Sequence, residues 1–189
     1  MGAHTKSNKI KVGTEQDLEV EKIIRHPSYR KPKQNSNDVA LLKLSKPAKL
    51  GKGVGLACIP DLGLPLPVDD LNKKCWITGW GRLSEGGASP TSLQQVDVPL
   101  YSHDRCVGSL RSLIDDSMLC AGVEEGGIDS CQGDSGGPLV CELNGRWYLE
   151  GATSWGVGCA RPGYPGVYAK IRHFLPWITK TTGGDVMSK

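Results

Sequence analysis

Apolar residues along this chain alternate more often than they recur at helical spacing. Leu18-Glu19-Val20-Glu21-Lys22-Ile23-Ile24 runs close to period two and meets the turn His26-Pro27, the pattern of a half-buried strand. Val39-Ala40-Leu41-Leu42-Lys43-Leu44 is a short apolar strand after a polar loop. Cys75-Trp76-Ile77-Thr78-Gly79-Trp80-Gly81 is a strand running into a glycine turn. Residues 94–100, 138–142, 147–155 and 166–171 are further strand candidates, and 45–61 reads as a connector with Gly51, Gly53, Gly55 and Pro60. Helix is scarce. Ser102 is placed to cap a short one over 103–106. Residues 173–181 form a second, with Phe174, Trp177 and Ile178 at i, i+3 and i+4 and Pro176 in its first turn, where proline is tolerated. Short strands punctuated by Gly, Pro and Asn predict an all-β barrel or sandwich.

Composition narrows the class. The 189 residues include 25 Gly and 12 Pro, in keeping with many turns. At 38% hydrophobic and 23% charged the chain is globular, not disordered. A net charge of +3 is too small to imply a nucleic-acid or membrane partner, and no apolar run approaches the ~18 residues of a membrane span. The one basic cluster, Arg30-Lys31-Pro32-Lys33, reads as a solvated loop. The seven cysteines form no CxxC pair, which disfavours zinc and thioredoxin-type sites and favours disulfides in an oxidising compartment. Two features conflict with that: the polar start Met1-Gly2-Ala3-His4 is no signal peptide, and an odd cysteine count leaves one unpaired. Both are expected if a segment is absent on the N-terminal side.

The chemistry concentrates in Asp129-Ser130-Cys131-Gln132-Gly133-Asp134-Ser135-Gly136-Gly137-Pro138. Glycines around a serine let the backbone turn sharply and let a carbonyl approach the main chain, where consecutive N–H groups can stabilise an oxyanion. A fixed Gly-Asp-Ser-Gly-Gly-Pro arises by chance roughly once per 10⁷ positions. The string also fits a G-x-S-x-G nucleophile elbow. That fold requires strand–turn–helix context and the chain order Ser, acid, His. Here Gly136-Gly137-Pro138 opens a strand, βα alternation is absent, and after Ser135 the one histidine, His173, precedes the one aspartate, Asp185. The α/β-hydrolase reading is therefore set aside.

Over essentially its whole length the chain resembles the trypsin branch of the chymotrypsin-like serine proteases. The matching strings are Lys22-Ile23-Ile24-Arg25-His26-Pro27-Ser28-Tyr29, Asn37-Asp38-Val39-Ala40-Leu41-Leu42-Lys43-Leu44, the strand from Cys75 to Gly81, Met118-Leu119-Cys120-Ala121-Gly122, the serine string, Ser154-Trp155-Gly156 and Pro165-Gly166-Val167-Tyr168. The resemblance implies an all-β, chymotrypsin-like double Greek-key β-barrel closed by a C-terminal helix. Residues 1–57 would be the remnant of the N-terminal barrel and the connector, 58–172 the C-terminal barrel, and 173–189 the helix and tail.

The resemblance also implies roles. Ser135 is the nucleophile and Asp38 the acid that orients an imidazole; the N–H groups of Gly133 and Ser135 form the oxyanion hole. Asp129 is the floor of a specificity pocket for Lys or Arg, with Gly156 and Gly166 as its walls. Ser154 and Trp155 pair with substrate backbone. Asp134 is the zymogen-switch aspartate that receives a freed N-terminal amine. The family pairing is Cys75–Cys141, Cys106–Cys120 and Cys131–Cys159, with Cys58 left over. No cofactor is expected. No metal is expected either, because Ala3 stands where calcium-binding trypsins carry a glutamate. The implied partners are protein or peptide substrates with Lys or Arg and protein protease inhibitors. Nucleic acid and membrane are not implied. The chain is expected to be monomeric and secreted.

This sequence departs from the family pattern at its start. Met1-Gly2-Ala3-His4 matches the segment after the catalytic histidine, so neither the Ala-Ala-His-Cys string nor the Ile-Val-Gly-Gly activation terminus is present. His4, His26, His103 and His173 all match ordinary positions. The expectation is an N-terminally truncated endopeptidase, inactive alone, with Asp134 lacking its partner, a defect of roughly 3–5 kcal/mol where a buried pair is broken. The first barrel would expose strand edges. The alternative is a non-catalytic protease homologue acting as a binding protein.

Overall fold

The computed structural model describes residues 1–6, 12–72 and 75–184; the expected tail at 185–189 lies outside the described residues. Among the described residues, eight strands, two α-helices and a 3-10 turn at Arg111–Leu113 run in the order β1 (Val20–Arg25), β2 (Ala40–Leu44), β3 (Cys75–Gly79), β4 (Gln94–Val98), α1 (His103–Leu110), the 3-10 turn, β5 (Met118–Ala121), β6 (Pro138–Leu143), β7 (Arg146–Trp155), β8 (Gly166–Lys170) and α2 (Ile171–Thr182). The all-β expectation holds.

Six strands form one antiparallel sheet in the order β4-β3-β6-β7-β8-β5. The chain leaving β4 closes it: the Tyr101 N–H donates to Cys120 O at 2.9 Å and the Gly122 N–H to Pro99 O at 3.1 Å. This closure removes the free edges that an open sheet would present. Inside lie Ile77, Val98, Leu100, Leu119, Leu139 and Tyr168. Cys75 and Cys141 face each other in register across β3 and β6 and are disulfide-bonded. Cys106–Cys120 ties α1 to β5, and Cys131–Cys159 ties the serine loop to the loop after β7. All three expected pairs are formed, and Cys58 is free.

Two sequence readings need correction. Met118–Ala121 is a strand that alternation could not reveal, because all four residues are buried and no polar face remains. The C-terminal helix starts at Ile171, two residues early, so Pro176 sits in its second turn and removes a hydrogen bond there. Ser102 does cap α1, its side chain accepting from the Arg105 N–H.

β1 and β2 form a separate two-stranded ribbon with Ile23 opposite Leu42. Leu41 and the neighbouring Val39 pack against the cluster of Ala169, Ile171, Phe174, Leu175 and Ile178, whereas Ile23 and Leu42 are 59% and 58% exposed. The loop before β2 is fastened to the barrel by polar groups. The Asn37 N–H donates to Ser117 Oγ at 3.0 Å, and the Asp115 carboxylate accepts from the hydroxyls of Ser36 and Ser117. Glu150 on β7 is wholly buried and pairs in bidentate fashion with Arg172 of α2, at 2.7 and 2.9 Å. Arg172 also donates to the Leu64 carbonyl in the segment before β3, so one guanidinium joins sheet, helix and that segment.

Candidate active site

The serine string forms a tight turn because its glycines take conformations closed to other residues. Gly133 has φ +102° and Gly136 φ +78°. Backbone bonds stitch the turn to β7: the Gly136 N–H donates to Thr153 O at 2.8 Å and the Thr153 N–H to Gly137 O at 2.9 Å. Ser135 is exposed at its tip, and β6, a strand, begins three residues later. This context is unlike a nucleophile elbow, which leads into a helix. The N–H groups of Gly133 and Ser135 make no hydrogen bond among the described residues, so both donors are free to meet a developing oxyanion.

Ser135, Asp129, Ser154, Trp155, Gly156 and Gly166 line one cavity of about 210 Å³. Asp129 sits deep in it, where its carboxylate accepts the Ser130 N–H at 2.7 Å and the Ala160 N–H at 3.1 Å. A Cβ on Gly166 would collide with Asp129 Oδ1, so β8 needs glycine there for the carboxylate to fit. Burial pushes the Asp129 pKa up to about 6, against the opposing pull of the two amide donors. Tyr168 beneath it is fully buried, its hydroxyl 3.2 Å from Ser130 Oγ, and burial also raises its pKa.

Asp38, immediately before the Val39–Ala40 entry to β2, reaches the same region from the ribbon. Its Oδ2 accepts from Ser154 Oγ at 2.6 Å. Among the described residues no histidine bonds to Asp38 or Ser135, and none lines the cavity. His26 stacks edge-on against Phe174 and Trp177, at 5.4 and 5.0 Å between ring centroids, and its pKa is lowered by burial and by His173. His173 also stacks on Phe174, His103 opens α1, and His4 offers its carbonyl to Leu93.

Asp134 differs from expectation. Its carboxylate is not without partners: Oδ1 accepts the Gly81 N–H at 2.7 Å and Oδ2 the Cys131 N–H at 3.1 Å. Gly79 and Gly81 lie so close that a Cβ on either would clash with it. The carboxylate therefore offsets its burial with backbone donors. It borders a second cavity of about 210 Å³ on the far side of Asp129, lined also by Gln95, Val96, Leu83 and Ala160. Sequence reading missed this cavity, as it missed Thr153, Ser130 and Tyr168 around Asp129. The strand positions of Thr153 and Tyr168 were legible, but their convergence depends on the β7–β8 register.

A family model described as Trypsin matches residues 1–178. The chain is similar to Trypsin-1 of Salmo salar, 43% identical over 173 residues that span 92% of this chain and 67% of that protein. It is also similar to Trypsin-1 of Astacus astacus, 45% identical over 170 residues that span 89% of this chain and 69% of the other.

Proposed function

The chain belongs to the trypsin family, and on that premise we propose that its site selects Lys and Arg side chains and presents the adjoining peptide bond to Ser135. The observation that carries this reading is a single carboxylate, Asp129, deep in the cavity that Ser135 overlooks. An extended peptide places one long side chain against that carboxylate and its main chain along Ser154–Gly156 at the end of β7. Gly156 and Gly166 leave the width a long cationic side chain needs.

The chemistry follows the acyl-transfer pattern for which the trypsin-type triad is the general template. Ser135 Oγ adds to the carbonyl carbon, its proton passes to an imidazole base, and the amide N–H groups of Gly133 and Ser135 hold the oxyanion. The imidazolium returns its proton to the leaving amine, and water hydrolyses the acyl-enzyme. Asp38 orients the imidazole. Asp134 ties the serine loop to Gly81 and acts as the switch that shapes the oxyanion hole. Acid, nucleophile, donors and pocket come from this chain, and among the described residues no histidine bonds to Asp38 or Ser135. Without the base, turnover falls by around 10⁶, as much as losing the whole triad.

Three disulfides support an oxidising, extracellular setting. Protein inhibitors that present Lys or Arg on an extended loop fit the same cavity, and the chain acts as a monomer. The second reading, a non-catalytic homologue that binds peptides, is favoured by one observation: among the described residues no histidine bonds to Asp38, whose Oδ2 accepts from Ser154 Oγ.

Binding and hydrolysis distinguish the two readings. Fluorescence anisotropy with peptides ending in Arg, Lys, Phe or Ala should show retention of the Arg and Lys peptides alone. Arg and Lys 4-nitroanilides should be hydrolysed near background. Equal retention of Phe and Arg peptides would remove the Lys/Arg reading, and turnover approaching that of complete trypsins would show that a base is present.

A further inference from the structure

The loop after β3 connects three parts of the site. At its root the Arg82 N–H donates to Gln132 O at 2.9 Å and the Gly81 N–H to Asp134, both in the serine loop. Internal bonds from Leu83 to Ala88 and from Gly87 to Ser84 hold it as a compact turn. At its tip Glu85 reaches the loop after β7. Arg161 donates to it through Nε at 2.9 Å and through the guanidinium Nη2 at 2.6 Å, and the Cys159 N–H points at the same carboxylate at 3.4 Å.

This fork-to-fork pair packs close to Gly158, whose φ is +75° and where a Cβ would collide with both Arg161 Nε and Glu85 Oε2. Gly158 and Cys159 form part of the wall of the Asp129 cavity, while Cys159 and Ala160 also wall the second cavity. The next residue, Ala160, donates its N–H to Asp129. The pair thus presses on the segment that shapes the pocket from outside, and its partner loop is rooted in the serine turn.

We propose that Glu85 and Arg161 are positioning residues, an exposed ionic latch that holds the 156–161 wall in its ligand-binding shape and couples it to the serine loop. Its effect on a cationic ligand rests on the Lys/Arg reading of Asp129. The latch acts through geometry. A bidentate Arg–carboxylate fixes both the distance and the plane of the loop, which a lysine point charge would not. Being exposed, it is sensitive to salt.

The test uses the whole 189-residue chain, with E85Q, R161K and the charge-swapped E85R/R161E. Two quantities are measured at low and high ionic strength: amide hydrogen exchange across 156–161 and benzamidine affinity. E85Q should speed exchange in 156–161 and weaken benzamidine about threefold at low salt, a size typical of a good exposed pair. R161K should behave like E85Q, the swap should recover most of both losses, and 0.5 M salt should shrink the differences. Unchanged exchange in E85Q overturns the latch. Faster exchange with unchanged benzamidine affinity overturns its positioning role. If the wild-type chain fails to bind benzamidine while E85Q still speeds exchange, the latch stands and the Lys/Arg reading falls.

Discussion

Asp129 shows how one residue can oppose folding and serve binding. In the unfolded chain its carboxyl loses its proton near 3.8, in the folded chain near 6. Between those values the native state binds more protons than the unfolded one, so this group's contribution to stability falls as pH rises from about 4 to 6. Above pH 6 the ionised form opposes folding by on the order of 3 kcal/mol. Asp129→Asn should therefore stabilise the unliganded chain at pH 8 by about 1–2 kcal/mol, since asparagine forfeits one amide partner, and should give no gain at pH 4. Denaturant unfolding at the two pH values checks this. Ligand affinity should run the other way, strengthening as Asp129 ionises through pH 6. Glu150 is the opposite case, a buried carboxylate with a full partner. Arg172→Met leaves it buried and unpaired, and should destabilise by roughly 3–5 kcal/mol, while Glu150→Met with Arg172→Met should recover most of that loss. Asp129 and Ser135 were legible because a short local string surrounds them. The Glu150 clamp was not, because Arg172 lies 22 residues from Glu150 and 108 from Leu64, its other partner, and such separations leave no local signal.

At the scale of elements, β1 was legible from alternation and the almost fully buried β8 was also marked as a strand, whereas β5 was not. Alternation reads a strand with one face wetter than the other, and in 18–24 it marks β1, where Ile24 alone is partly buried. β5 has no such surface, and only its cysteine, facing α1, marks it as structural. That bond closes a loop of 14 residues. Replacing Cys106 and Cys120 together by Ala should cost about 3 kcal/mol on the chain-entropy model, read as a lower denaturation midpoint with α1 loosened first in hydrogen exchange. The error at α2 has a physical reason. Pro176 is normally taken to mark a first turn, yet Ile171, Phe174, Leu175 and Ile178 are all buried. Burying that stripe outweighs the hydrogen bond that proline removes.

For the whole molecule, the Asp129 cavity and the serine turn belong to a closed six-stranded barrel, while Asp38, the proposed acid, arrives on a two-stranded ribbon. The barrel is self-contained: its edges are joined and its disulfides are made. The ribbon is held by Val39, Leu41 and the Asn37–Ser117–Asp115 network, and its Ile23–Leu42 face stays open to solvent. On that division the proposed Lys/Arg pocket depends on the barrel alone, so binding is the property to measure. The most direct test is calorimetric titration of benzamidine into the 189-residue chain and into Asp129→Asn at pH 8 and pH 5. The account predicts one site on the native chain at pH 8, weaker binding at pH 5 and loss of binding in Asp129→Asn. Binding that is indifferent to Asp129 and to pH would contradict it.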